Sequence, residues 1–121
     1  MTELVAFLST GKGTWGHVSH LLEGMSGQPW EKVYLLTNDY GMQNYKPLQN
    51  VELIEIKPYA GIKELRDEIL SVLKERVKGT EVAVNFISGE GKEHMALMSA
   101  LMRLGVGFRL VALTKDGADE I

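Results

Sequence analysis

The chain contains no cysteine. That excludes disulfides and thiolate-bound metals, and it fits a reducing compartment. It also lacks a basic excess: 13 Lys and Arg stand against 16 Asp and Glu, for a net charge of −3. A footprint for duplex DNA or RNA needs the opposite balance, so duplex nucleic acid is not an expected partner. Long apolar runs are missing too. Leu4 to Leu8 is too short for a signal-peptide core or a membrane span, and Met1-Thr2-Glu3 brings an acid where a leader carries basic residues. The expectation is a cytoplasmic protein with no membrane contact. The histidines offer no metal spacing with acids, because the pair His17 and His20 has no further ligands in a suitable pattern. No metal and no other cofactor is expected. Internal repeats and low-complexity segments are also absent.

What is present fits one domain spanning residues 1–121. Apolar residues make up 45% and charged residues 24%, near the averages of globular domains. Leu4 to Leu8 is continuous and apolar, as in a strand covered on both faces. A polar, Gly-rich loop follows, Ser9-Thr10-Gly11-Lys12-Gly13-Thr14. Trp15 to Met25 has helical spacing, with Val18, Leu21, Leu22 and Met25 on one face. Lys32 to Thr37 reads as a second strand, ending in the turn residues Asn38-Asp39-Tyr40-Gly41. A short helix is expected between Met42 and Gln49. Val51 to Ile56 alternates apolar and acidic residues, the pattern of a strand near a sheet edge.

Pro58-Tyr59-Ala60-Gly61 breaks the chain before the clearest helix, Ile62 to Val77. Its stripe is Ile62, Leu65, Ile69, Val72, Leu73 and Val77, with Lys78-Gly79 expected as its C-cap. Val82 to Ile87 is a further apolar run. It turns through Ser88-Gly89-Glu90-Gly91-Lys92 into a helical pattern with Met95, Met98, Leu101 and Met102 at three- and four-residue steps. Gly107 to Leu113 is the last expected strand, and the acidic tail from Thr114 to Ile121 is expected to fray.

This alternation implies an α/β domain: a doubly wound, Rossmann-like, mostly parallel sheet of about five strands in the order 3-2-1-4-5. Ligands of such sheets bind at the carboxyl ends of strands one and four, where the winding reverses. Those ends carry the two Gly-, hydroxyl- and Lys-bearing loops. A phosphate-rich ligand is therefore expected, held by Ser9, Thr10, Gly11, Lys12 and Gly13 on one side and by Ser88, Gly89, Glu90, Gly91 and Lys92 on the other. Lys92 at a helix start opposes the helix dipole by about 0.3–1 kcal/mol, which favours an anion nearby over a merely solvated role. Glu90 is awkward beside a phosphate and must point away or serve otherwise. Asn38, Asp39 and Tyr40, with Tyr45, lie on the rim as candidate readers of a base. His17 and His94 each begin a helix bordering the crevice; the plainer reading of either is structural. Trp15 and the methionines suit core or dimer packing. Gly11 to Gly16 matches G-x-G-x-x-G literally, but Trp15 is bulky where the helix would pack near a pyrophosphate.

Ile87-Ser88-Gly89-Glu90-Gly91-Lys92, the Ala/Met/Leu-rich helix from Met95 to Leu104, and the strand Gly-Val-Gly-Phe-Arg-Leu-Val-Ala after it resemble the second motif of CARF domains, the CRISPR-associated Rossmann-fold domains. In that pattern an apolar strand runs into Thr-Gly-Gly-Thr-Lys. Here Ser88 stands for the first Thr, Glu90 for the second Gly and Gly91 for the second Thr. Ser9-Thr10-Gly11 sits where such domains carry their other ligand loop.

The resemblance implies a homodimer whose two crevices join across a two-fold axis. The implied ligand is a cyclic oligoadenylate, the second messenger of type III CRISPR antiviral defence. It allows a sensor, a sponge, a partner subunit or a ring nuclease. Metal-independent ring cleavage would use the ligand's own 2′-hydroxyl against the adjacent phosphate. Lys92 and Lys12 would stabilise the charge, Ser9, Thr10 and Ser88 would position the phosphate, and His17 or His94 would move a proton. The candidate catalytic set is Lys92, Ser9 and His17. Two alternatives stand beside this: a regulatory or interaction module without nucleotide activity, and a small enzyme on a mononucleotide or sugar phosphate.

Overall fold

The uninterrupted apolar run near the start forms a central strand. In the computed structural model, which describes residues 2–9, 15–25, 27–57 and 59–121, β1 (Glu3–Leu8) is buried along its whole length between two neighbours. The site assignments for Thr10, Gly11, Lys12 and Gly13, and the break at Pro58, lie outside the described residues. The chain continues as α1 (Trp15–Leu21), β2 (Lys32–Thr37), α2 (Asp39–Asn44), β3 (Val51–Glu55), α3 (Ile62–Lys74), β4 (Glu81–Asn85), α4 (Gly91–Leu104), β5 (Gly107–Thr114) and β6 (Gly117–Glu120).

The described strands form one sheet in the order β3-β2-β1-β4-β5-β6. β3, β2, β1, β4 and β5 pair in parallel, and β6 joins β5 antiparallel. The doubly wound, mostly parallel α/β architecture and the order of its first five strands are as expected. β1 and β4 are neighbours, so the winding reverses between them.

Side chains alternate across the sheet and divide the core into two layers. On one side Val5, Phe7, Val82 and Val84 meet Leu65, Ile69 and Leu73 of α3 and Ala96, Leu97, Ala100 and Leu101 of α4. On the other, Leu4, Ala6, Leu8, Val33 and Leu35 meet Val18 and Leu21 of α1, with Leu22 and Trp30. The acidic and apolar alternation of β3 does mark an edge strand.

Several expectations are corrected. The tail does not fray. Thr114 Oγ1 donates to the Gly117 carbonyl at 2.8 Å, Gly117 turns with φ 106°, and the Ile121 N–H returns to the Leu110 carbonyl at 2.9 Å. α1 ends at Leu21, short of Met25, although Leu22 still enters the core. α2 begins at Asp39, before the expected Met42, because Asn38 Oδ1 accepts the Gly41 N–H at 3.0 Å and caps it. α3 stops at Lys74, and Lys78-Gly79 is not its C-cap; those two backbone N–H groups instead reach Glu3 Oε1 at 3.1 and 2.9 Å. On α4 the buried stripe is Ala96, Leu97, Ala100 and Leu101, while Met95, Met98 and Met102 face outward. The two alanines let α4 lie close to the sheet and to α3, which turns the bulkier methionines away.

Candidate functional site

The crevice at the carboxyl ends of β1 and β4 joins the two loops that topology brings there. The Ser9 N–H donates to Ser88 Oγ at 2.8 Å, across 79 residues of sequence. Ser88 is buried, so its hydroxyl is a structural acceptor at the floor of the crevice. Thr37, at the end of β2, donates its hydroxyl to the Leu8 carbonyl at 2.7 Å and ties the next strand into the same floor. Gly89 takes φ 95°, and a Cβ there would stand 3.2 Å from both His94 Nε2 and Phe7 Cβ. Glycine is thus required by the turn itself.

Lys92 lies on the first turn of α4. Its Nζ donates to the Ala60 carbonyl at 2.8 Å, in the loop between β3 and α3. That contact brings Tyr59, 82% exposed, to the same rim. Neither Tyr59 nor Ala60 was a sequence candidate, because only the α3–α4 packing places their loop beside Lys92. Glu90 resolves the question its charge raised. It is the N-cap of α4 and forms a capping box with Glu93, whose well-formed arm runs from the Glu90 N–H to Glu93 Oε1 at 2.7 Å. Two carboxylates therefore sit at the helix start where an anion was expected. An acid followed three residues later by Glu is the legible sign of this arrangement.

Both histidines commit Nε2 to a backbone group. His94 Nε2 lies 2.9 Å from the Ser88 carbonyl, which can only accept, so that nitrogen carries the proton. Its ring packs on Phe86 and Phe7 at centroid distances of 4.7 and 5.5 Å. His17 Nε2 does the reverse. It accepts the Leu113 N–H at 3.3 Å and lies 3.4 Å from Asn85 Nδ2. Burial holds the His17 imidazole below its ordinary pKa. Asn85, a buried amide missed in the sequence, donates to the Val111 carbonyl at 2.8 Å and accepts the Ile87 N–H at 3.2 Å. Its signal was one polar residue inside the apolar run from Val82 to Ile87.

The structure brings Ser9, Ser88, Gly89 and His94 together directly. Asn38 is spent on the α2 cap, and Tyr40 and Tyr45 pack against Trp15 at 6.0 and 5.6 Å between ring centroids. Trp15 Nε1 in turn donates to the Ser9 carbonyl at 2.9 Å. The aromatic group thus props the β1 end of the crevice. Among the described residues no cluster of His, Asp or Glu could hold a metal ion, and no helix is long and apolar enough to cross a membrane. No family model matches this chain, and no curated protein gives a significant match to it.

Proposed function

We propose that the chain binds a cyclic oligoadenylate, the messenger of type III CRISPR signalling, in the crevice between the ends of β1 and β4. The observation that carries this reading is the Ser9–Ser88 hydrogen bond. It makes one floor of the two loops that the CARF resemblance pairs, at the point where the winding reverses. Lys92 supports it. Among the described residues its ammonium meets a neutral carbonyl, and a phosphate is a stronger partner for it. The reading includes a homodimer in which two crevices face one ring.

Ring cleavage forms the O2′–P bond, breaks P–O5′, and needs a base for the 2′-hydroxyl proton and a donor that protonates the leaving O5′. His17 Nε2 is occupied by a backbone N–H, and His94 Nε2 carries its proton toward the Ser88 carbonyl, which leaves the lone pair of His94 Nδ1 for the role of base. A ring nuclease would yield linear oligoadenylate with 2′,3′-cyclic phosphate ends in the presence of chelator. A second reading, an interaction module without nucleotide activity, is favoured by one observation: Glu90 and Glu93 already cap the α4 start.

A thermal-shift screen against cyclic tri-, tetra- and hexa-adenylate, with ATP, AMP and NAD as controls, separates these. At a ligand level of 100 Kd, binding adds about 2.7 kcal/mol, which is several degrees for a domain of this size. A shift with one ring supports the proposal. Lys92→Ala then abolishes the shift while lowering ligand-free stability by only about 1 kcal/mol. A shift with ATP or NAD alone points to a small enzyme, and no shift at all leaves the interaction module.

A further inference from the structure

A base bound in the crevice needs a partner that the sequence candidates do not supply. Asn38 Oδ1 caps α2, and the rings of Tyr40 and Tyr45 pack against Trp15. Phe7, Trp30 and Tyr34 are buried, and Phe86 packs on His94. Phe108 packs against the layer of α3 and α4. One aromatic residue among those described is exposed: Tyr59.

Tyr59 is held out on a fastened loop between β3 and α3. The Lys57 N–H donates to Glu68 Oε1 at 3.0 Å, and the Ala60 N–H closes a turn onto the Lys57 carbonyl at 3.0 Å. The Ala60 carbonyl accepts from Lys92 Nζ at 2.8 Å. Beyond it the Gly61 carbonyl accepts the Leu65 N–H of α3 at 2.9 Å. With the backbone already fixed, stacking on Tyr59 orders one side chain, which keeps the entropic cost of binding low. Tyrosine suits such a task, being large, flat and short of rotatable bonds.

The lysine that fastens this loop is also the proposed phosphate ligand. Tyr59 is one residue from the carbonyl that Lys92 holds, and neighbouring Cα atoms are about 3.8 Å apart. A phosphate at Lys92 and a base at Tyr59 therefore lie within the span of one nucleotide. The acids of the crevice make the base matter. Glu90 and Glu93 stand at the same helix start as Lys92, so a phosphate alone is held against two carboxylates. A base stacked on a tyrosine ring adds attraction without adding charge, and those acids do not oppose it.

We propose that Tyr59 is the base-binding residue of the crevice, stacking on a purine of the nucleotide whose phosphate Lys92 holds. The crevice then selects nucleotides over bare sugar phosphates. This rests on the nucleotide reading of the site, but not on the nucleotide being a ring.

The test is calorimetric titration of wild type, Tyr59→Leu and Tyr59→Phe with cyclic tri-, tetra- and hexa-adenylate and with AMP. Ribose 5-phosphate serves as the ligand without a base. Tyr59→Leu should weaken adenylate binding about tenfold or more, while Tyr59→Phe, which keeps the ring, binds as wild type does. Ribose 5-phosphate should not distinguish Tyr59→Leu from wild type. The ligand-free melting temperature of Tyr59→Leu should be unchanged, because the position is exposed. A ring that binds Tyr59→Leu as tightly as wild type overturns this inference and leaves the messenger reading standing. AMP binding that depends on Tyr59, with no ring bound, keeps the inference while the ring reading fails. Equal losses in Tyr59→Phe and Tyr59→Leu overturn stacking, since the hydroxyl would then be the contact. Binding of no nucleotide by wild type overturns both.

Discussion

At the scale of single residues, side chains finish what the sheet leaves undone. β4 pairs with β5 as far as Val84 opposite Leu110. Beyond that point Asn85 Nδ2 donates to the Val111 carbonyl, and His17 Nε2 accepts the Leu113 N–H. Asn85 Oδ1 is held by the Ile87 N–H, so the amide turns a hydrogen toward His17. Both neighbours of His17 Nε2 are donors, and a proton on that nitrogen would oppose them. The unfolded chain takes up this proton near pH 6.5, whereas the half-buried ring takes it up only at lower pH. Between the two values the unfolded state binds more protons, so stability falls as pH falls. One proton contributes at most about 1.4 kcal/mol per pH unit. The melting temperature is expected to lose no His17 contribution above pH 6.5 and to decline below it. His17→Gln, whose carbonyl can still accept the Leu113 N–H, should decline less steeply. Equal slopes for the two proteins would assign the effect to other groups.

Elements differ in how openly the sequence announces them. β1 and β4 were legible because strands covered on both faces are written as unbroken apolar runs. Their loops then fall at the crevice by topology alone. α4 was harder, because its pattern is apolar in every direction and spacing cannot choose the inward face. β6 was hidden because Gly-Ala-Asp-Glu has no strand propensity of its own; it is held by pairing with β5. Asn38 to Gly41 reads as a turn, yet it caps and opens α2. Gly41 is needed there for space. A Cβ on it would collide with the Thr37 hydroxyl, which is committed to the Leu8 carbonyl. Ala is the better helix former by about 1 kcal/mol, so propensity and packing oppose each other at this position. Packing should win: Gly41→Ala is expected to destabilise by about 1–3 kcal/mol in urea unfolding. In a Thr37→Ala background most of that cost should vanish, since contacting residues are not additive. A stabilised Gly41→Ala single variant would refute the close approach.

The whole molecule has a polar fastening at each end of its sheet. The carboxyl end has the Ser9–Ser88 and Asn85–His17 bridges; the amino end has Glu3. Sequence alone makes Glu3 a charged flank of an apolar run, yet it is buried, accepting from the Lys78 and Gly79 N–H groups. The Tyr34 hydroxyl, with one proton, lies 3.0 Å from Glu3 Oε2 and 2.9 Å from the Arg76 carbonyl. Arg76 Nε reaches Glu52 at 2.7 Å. These contacts surround a concavity of 590 Å³ and bind β1, β2 and β3 to the segment leaving α3, closing the crossover that carries the chain to β4. Arg76 and Glu52 pair with each other, and Glu3 is held by two backbone N–H groups and the Tyr34 phenol, so the cluster fastens this end of the sheet. Burial, then the hydrogen bond and the charge of Glu3, push the Tyr34 phenol up to about 12 from an ordinary 10.0. The unfolded chain loses this proton first. Stability from Tyr34 is therefore whole below pH 10.0 and is lost as pH rises toward 12. Tyr34→Phe should cost about 1–3 kcal/mol at neutral pH by leaving one of the two acceptors, Glu3 or the Arg76 carbonyl, short of its donor. It should also flatten the alkaline decline seen in urea unfolding. A variant as stable as wild type at neutral pH, with the same alkaline decline, would mean that the crossover is held by the apolar layer between α3 and the sheet alone.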